Sequence, residues 1–453
     1  MSVSAAHALA KLEKHLQFET ILLVYNNFAR TSRCRDAFGI PQRGSRKMNK
    51  QAKRNRLERF AVCAAALLMY LTGAVHYYAQ HLPDHFYAEV NRPLSVETVL
   101  PVTIRSKPPS VPQVHEAEVR LFGMIPVKTV SLTTVSPTAV YVGGQPFGIR
   151  MLMAGVMVVS MSDVSLPTGS RCPAADAGIE IGDLICAVNG EPIGCNADLQ
   201  EAVAASRGDP VNVEIRRGDA VLQVAVQPVY SPLTQRWQTG MWVRDSTAGI
   251  GTVTYYLSDA NGEIRFAGLG HAVCDADTGE QIPLASGDVL AVSVNDIVTG
   301  SAGKPGELRG RFDTGSGIGT LCANTACGVF GTMHALPDQL QLLPLGFRQD
   351  IRRGDALIYT TTEGSTPRAF TAEIEEIRGD DAAMRNLVIH VTDPALLEST
   401  GGIVQGMSGS PIIQNGRLIG AVTHVFVKDP TRGYGIFAEN MYAQTAAYAD
   451  TAA

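Results

Sequence analysis

The sequence predicts a mainly β chain, divided into several domains, behind one N-terminal membrane-crossing helix. Three observations carry that expectation. From Val127 onward, short runs of β-branched residues alternate with Gly and Asp turns, the pattern of strands. Helical patterning past that point is confined to Asn196–Ala205 and, weakly, to the last dozen residues. Residues 60–79, FAVCAAALLMYLTGAVHYYA, contain no Asp, Glu, Lys or Arg, and at about 1.5 Å per residue they are long enough to cross a bilayer.

With 453 residues and 45% hydrophobic content, the chain has room for two or three domains with buried cores. A net charge of −5 with 18% charged residues offers no broad basic surface, which argues against nucleic acid as a partner. The one basic cluster is Arg43, Arg46, Lys47, Lys50, Lys53, Arg54, Arg56 and Arg59, directly before the apolar run, and Asp84 and Glu89 follow that run. This asymmetry places residues 1–59 on the cytoplasmic side, 60–79 in the membrane and the remainder outside. No small-x-small cleavage site follows the run before Tyr77, so an uncleaved anchor is expected rather than a signal peptide. Met48, followed by Asn-Lys-Gln-Ala-Lys-Arg, makes a compact start for such an anchor and leaves residues 1–47 as a candidate mis-assigned start. Those residues hold an amphipathic patch, ETILLVYNNFA, without assignable chemistry.

Eight cysteines, at 34, 63, 172, 186, 195, 274, 322 and 327, lack paired CxxC spacing. That spacing argues against zinc, and no metal or organic cofactor is expected. Outside the cytoplasm a bridge between Cys322 and Cys327, or among Cys172, Cys186 and Cys195, is permitted; ordinary buried thiols are the alternative.

Residues 80–126 read as a spacer, because Pro108, Pro109, Ser110 and Pro112 resist both helix and central strand. A folded module then occupies 127–230. Its parts are an apolar strand GVMVVS from Gly155, the segment Pro173-Ala-Ala-Asp-Ala-Gly178, and Ile179-Glu-Ile-Gly-Asp183-Leu-Ile-Cys-Ala-Val-Asn189-Gly190. A helix over Asn196–Ala205 and a strand over Val211–Arg216 follow. Small residues at Ala174, Ala175 and Ala177 suit a short helix packed on a sheet, and Asn189-Gly190 suits a two-residue hairpin. This order resembles a PDZ domain of the bacterial, protease-associated type. The resemblance implies that the loop before Val156, around Met153, Ala154 and Gly155, holds an extended peptide beside the strand, with a plain β packing module as the alternative.

The remaining 231–453 stretch alternates runs such as GIGTVTYYL, DVLAVSVNDIV, NLVIHVTD and RLIGAVTHVFV with turns, which fits a sandwich or a pair of small barrels. Within it lies Gly406-Met407-Ser408-Gly409-Ser410-Pro411. A nucleophilic serine needs its own N–H and that of the residue two before it to converge on a developing oxyanion. Gly406 permits that backbone conformation, and Gly409 lets a substrate carbonyl approach. Ser410 competes as nucleophile, but only Ser408 has a glycine two before, a glycine one after and a proline three after, the arrangement of chymotrypsin-like peptidases. A base is required. Past the PDZ-like module the histidines are His271, His334, His390 and His424. His271, in Ala267-Gly-Leu-Gly-His, ends a strand beside two glycines that leave space for substrate or for Ser408. His424 and His390 alternate with apolar residues like strand positions, and His334 resembles a loop residue. For the orienting acid, Asp393, Asp275 and Asp313 all remain open on spacing alone.

Three segments together resemble one family, the stage IV sporulation protein B peptidases of spore-forming Firmicutes. They are Gly268-Leu-Gly-His271-Ala-Val-Cys-Asp275, Gln405-Gly-Met-Ser408-Gly-Ser-Pro-Ile412, and Gly420-Ala-Val-Thr-His-Val-Phe-Val-Lys-Asp429-Pro with Gly433-Tyr-Gly435. The order of anchor, PDZ module and peptidase agrees over residues 48 to 446. The resemblance implies a chymotrypsin-like double β-barrel and a His271–Asp393–Ser408 triad with Gly406 and Ser408 as the oxyanion hole, since the family's acid lies shortly before its serine. It further implies export from the forespore into the intermembrane space, self-cleavage in the chain's own N-terminal segment, and cleavage of a membrane-bound regulator of an intramembrane protease. That cleavage would signal the mother-cell sigma-K pathway. The alternatives are a non-catalytic PDZ scaffold, which Ser408→Ala distinguishes, and an HtrA-type stress peptidase, whose domains run in the opposite order.

Overall fold

The computed structural model describes residues 46–451 except 90–93, 95, 97, 106–113, 136–137, 260, 314, 316 and 379–383. The ETILLVYNNFA patch, Cys34 and the prolines 108, 109 and 112 lie outside the described residues. The described residues fall into two units, 46–76 and 77–451. A helix spans Arg46–His81. Its segment Arg54–His81 is long and apolar enough to cross a membrane, with a mean hydropathy of 1.6 over its most apolar window. Leu67, Leu68 and Met69 within it are exposed.

The stretch expected as a spacer carries the strands His85–Glu89, Val102–Arg105 and Val114–Leu121, which join Ile125–Val135 in a four-stranded sheet. Alternation explains this where prolines concealed it. In VHEAEVRL the residues Ala117, Val119 and Leu121 are buried at every second position, the period of a half-buried strand.

The PDZ domain is built as its sequence pattern implies. Strands Leu184–Val188, Val211–Arg217 and Ala220–Val226 pair antiparallel, and the helices Pro173–Asp176 and Asn196–Ala205 accompany them. Asn189 and Gly190 both have positive φ, 52° and 85°, as a tight hairpin turn requires, and Glu191 pairs back to Val188. Buried Asp183 accepts the Glu180 N–H at 2.8 Å and the Arg217 guanidinium at 2.7 Å, which locks the turn before the strand.

The strand Pro146–Met161 is shared between modules. Val156 and Met157 pair with Ile185 and Leu184 of the PDZ sheet. Residues 146–153 instead lie between Met241–Ser258 on one side and Leu284–Val298 on the other. Through Gly319–Thr325, Gly328–Met333 and Ile264–Gly268 the pairings return to Met241–Ser258, which closes a six-stranded ring. Phe147, Met151, Val253, Phe266 and Val289 fill it. A second closed barrel follows from Gly354–Thr360, Arg368–Ile377, Leu387–Val391, Asp429–Phe437, Arg417–Phe426 and Pro411–Gln414, around Ile358, Ile374, Ile389, Met407 and Ile412. Tyr255, Phe330, Leu418 and Ile436 form a further apolar cluster contributed by strands of both barrels, joined by Val140 from the strand Ala139–Val142. Cys63, Cys172, Cys186, Cys195, Cys274, Cys322 and Cys327 are free thiols, so neither candidate bridge is formed.

Candidate active site

Ser408 sits on the loop that leads from the helix Pro394–Thr400 into the barrel strand Pro411–Gln414. The loop uses its amides selectively. Gln405, Met407, Gly409 and Ser410 donate to Gly306 O, Val404 O, Val422 O and Met407 O. The N–H groups of Gly406 and Ser408 have no acceptor among the described residues. Gly406 has φ +95° and Gly409 φ +94°, which a side chain would oppose. A Cβ on Gly409 would overlap Thr252 O and Leu269 N. Thr252, on the first barrel, grips the loop from the other side: its N–H donates to Ser408 O at 2.9 Å and its hydroxyl to Gly406 O at 2.7 Å. Ser410 is fully buried and donates to the Thr360 hydroxyl at 3.0 Å, so the competing serine is structural.

His271 arrives from the first barrel. The strand Ile264–Gly268 ends in Leu269 and Gly270, both at positive φ, 66° and 71°. For a branched residue such as Leu this conformation costs about 1–3 kcal/mol and persists only when its surroundings dictate it. Leu269 is buried, and its N–H donates to Thr252 O at 3.3 Å. The glycine before the histidine serves the second barrel rather than substrate: a Cβ on Gly270 would lie 2.9 Å from Ile436 and 3.0 Å from Thr423. His271 therefore comes close to the strand that carries Thr423 and His424, beside which Ser408 also lies. Its ring centroid is 4.7 Å from that of His424, and Thr423, the residue before His424, accepts the Ser408 hydroxyl on its carbonyl at 2.6 Å. The Nδ1 of His271 lies 2.8 Å from Ala272 O. Burial holds the His271 pKa below the ordinary histidine value, which keeps the ring neutral and basic near neutral pH.

None of the three carboxylates bonds His271. Asp393 is the N-cap of the helix Pro394–Thr400; its oxygens accept from Ala395 N at 3.0 Å, Leu396 N at 3.2 Å and Thr371 N at 3.1 Å. It stands at one end of the strand Leu387–Val391, whereas Met384, whose carbonyl accepts the Thr423 hydroxyl, lies before the other end. Five strand residues at about 3.3 Å each put on the order of 15 Å between those ends. Asp275 is buried but accepts from Asp277 N and Thr278 N in its own turn and pairs with Arg244. Asp313 is exposed and accepts the Gly315 N–H. The Asp-Pro step at 393–394 is an N-cap followed by proline at the first helical position, so the signal for Asp393's place was present in the sequence.

The other histidines separate cleanly. His334 is exposed, and His390 lies 3.5 Å from Glu375. His424, read from the sequence as a strand position, is on the strand Arg417–Phe426 and also inside the site. Burial first, then the nearby His271 and Arg385, push its pKa down to about 4.

Met153, Ala154, Gly155 and Val156 do not form a loop. Met153 pairs with Leu284, Ala154 N donates to Pro283 O, Val156 pairs with Ile185, and the neighbouring strand runs along the opposite edge through Arg244 and Ser246. The segment lies inside the shared strand: one edge is taken by Leu284, Pro283 O and Ile185, and along the other the register slips between Arg244 and Ser246, where residues 153–156 have no ladder partner. Gly155 is required there by its φ of +132° and the closeness of Ile185 O; the sequence reading took this glycine as a loop. The open cleft of the PDZ module, about 740 Å³, lies between the helix Asn196–Ala205 and residues 235–243.

Comparison with known proteins agrees with this layout. Residues 235–442 match the family described as SpoIVB peptidase S55, and residues 169–217 match that described as PDZ domain. A 57-residue segment is 40% identical to a protein of Clostridium perfringens (strain 13 / Type A) named as a zinc metalloprotease. That match takes 13% of this chain and only 17% of the relative's length. The PDZ domain of the SdrC-like protein of Listeria monocytogenes is 24% identical, with 20% of this chain and 87% of that one covered and a TM-score of 0.17. The inactive form of the Rv3671c protease is 16% identical, with 44% and 83% covered and a TM-score of 0.24.

Proposed function

From a SpoIVB peptidase S55 domain at residues 235–442, joined to a PDZ domain, we propose an endopeptidase in which Ser408 is the nucleophile and His271 its base. The observation that carries this reading is the pair of unpaired N–H groups, Gly406 and Ser408, on either side of Met407 in a loop where the amides of Gln405, Met407, Gly409 and Ser410 are all occupied. Donors left without partners in an otherwise satisfied loop suit an oxyanion that exists only during reaction. Ser408 Oγ attacks the peptide carbonyl, His271 accepts its proton and returns it to the leaving amine, and water releases the acyl-enzyme. In the resting arrangement the Ser408 hydroxyl donates to Thr423 O, so a rotation about its Cα–Cβ bond begins the cycle. Asp393 serves this site through the helix it caps, which delivers the Ser408 loop, and not by bonding the base.

The domain order and the apolar helix support a finer reading. The chain is anchored with its peptidase on the extracytoplasmic side, cleaves itself near its N-terminal segment, and cleaves a membrane-bound regulator whose loss activates the mother-cell sigma-K pathway. The PDZ cleft beside Asn196–Ala205 is the place for an extended peptide from substrate or from the chain itself. The test is Ser408→Ala in the full-length chain in detergent. Self-cleavage and cleavage of the regulator disappear while the fold persists; cleavage at the parent rate would return the scaffold reading.

A further inference from the structure

The segment Met241–Asp245 lies where a PDZ domain takes an extended peptide. It runs antiparallel to the shared strand Pro146–Met161, with Met241 opposite Met161, Trp242 opposite Ser160, Val243 opposite Val158 and Arg244 opposite Met157. Ser162 N extends the pairing by donating to Gly240 O at 2.8 Å. Side chains alternate as they do in any strand. Met241 and Val243 pack against the PDZ core, which includes Leu199 and Val203 of the helix Asn196–Ala205, while Trp242 between them is 62% exposed. Asp245 accepts the Asn196 N–H, at the start of that helix, at 2.9 Å. Main-chain bonds along a sheet edge and pockets for alternate side chains are how PDZ domains hold peptides; here the peptide is the chain's own. The seat is incomplete. The register slips between Trp242 and Val243 and again between Arg244 and Ser246, and the cleft of about 740 Å³ stays open between the helix and residues 235–243.

A second set of contacts ties this segment to the base. Arg244 pairs with the fully buried carboxylate of Asp275 and donates to Asp277 at 2.6 Å. Asp275 stands four residues after His271 in the chain and shapes the turn there by accepting from Asp277 N and Thr278 N. The Thr278 hydroxyl in turn lies 3.5 Å from the sulfur of Met157, the residue opposite Arg244. Withdrawing a guanidinium from a buried carboxylate is costly, so the turn that follows His271 is held while Arg244 stays in place.

We propose that Met241–Asp245 is a built-in PDZ ligand, and that a free extended peptide with apolar residues at alternate positions displaces it, withdraws Arg244 from Asp275 and slows the peptidase. This deepens the peptide-binding reading of the PDZ cleft and rests on the Ser408–His271 pair. A peptide in the groove thus acts on the reaction through the His271 turn, with Arg244 as the positioning residue between them.

The test uses the full-length chain in detergent, a peptide copied from residues 237–245, WQTGMWVRD, and a serine-reactive fluorophosphonate probe. In the parent, saturating peptide slows labelling about tenfold. Val243→Asp unseats the internal copy. Measured in the Ser408→Ala background, where the peptide is not consumed, it raises peptide affinity about tenfold or more, because the tethered competitor is gone. Arg244→Gln labels slowly from the start, and the peptide slows it no further; a peptide that competed at Ser408 would slow parent and variant alike. No gain in affinity from Val243→Asp, or the same response to peptide in parent and Arg244→Gln, would overturn this inference alone. Labelling of Ser408→Ala would instead remove the reading beneath it. Should Val243→Asp fail to fold, amide hydrogen exchange in Ser408→Ala decides: the peptide speeds exchange at residues 241–244, and unchanged rates refute the displacement.

Discussion

Asp393 and Ser408 stand at opposite ends of one segment, and they differ in how completely they are satisfied. Every described bond of the Asp393 carboxylate goes to a local amide, from Thr371 and from the first turn of the helix it caps. Around Ser408 the amides of Gln405, Met407, Gly409 and Ser410 are equally well bonded, and those of Gly406 and Ser408 are not. Hydrogen-bonding capacity spent within the fold marks a structural group, and capacity withheld marks a group that meets something else. On this measure the serine loop keeps donors in reserve, whereas the described capacity of the aspartate is spent within the scaffold.

The largest test of that contrast is Gly406→Ala. A Cβ there would come 3.0 Å from Leu308, at a φ of +95°, so the amide must turn. The expected outcome is a fall in kcat of about 10²–10³ with KM little changed; an unaltered kcat would mean that Gly406 N is not an oxyanion donor. Next comes Asp393. Asn caps a helix as well as Asp, so Asp393→Asn retains activity within about threefold, while Asp393→Ala lowers stability by about 1 kcal/mol in denaturant melts. A loss of kcat near 10⁴ in Asp393→Asn would restore it as the triad acid. The smallest effect concerns stability just below neutrality. The folded chain holds His424 at a pKa of about 4, below its ordinary 6.5, and His271 is displaced the same way. Between those values the unfolded chain binds more protons, so the stability these residues contribute is full above about pH 6.5 and declines as the pH falls toward about 4. Denaturation midpoints measured down this range should drop, and a flat profile would show that the two rings are not buried as described.

Much of the site was legible because glycine chemistry is local. The positive φ at Gly406 and Gly409 follows from the requirement on the serine loop, and Gly270 follows from close approach, although to the second barrel and not to substrate. The helix-capping place of Asp393 went unread because nearness in sequence says nothing about which end of a strand a residue occupies. The N-cap pattern at Asp393-Pro394 would have said so. His424 was recognised as a strand residue, but alternation cannot reveal a bulge that turns one side chain into a cleft. At Met153–Val156 a strand stands where a loop was expected, for a related reason. Gly155 was read as part of the loop that precedes the apolar run, whereas the chain passes through it as one continuous strand.

That continuity has a practical consequence for anyone who trims the gene. A truncated chain starting at residue 235, where the peptidase family match begins, would lack residues 146–153, the stave between Met241–Ser258 and Leu284–Val298. The first barrel would open, and two unpaired edges would invite other copies to pair with them. Sequence boundaries and mechanical boundaries diverge in this protein, and the smallest soluble fragment that keeps His271 in place begins before the PDZ domain.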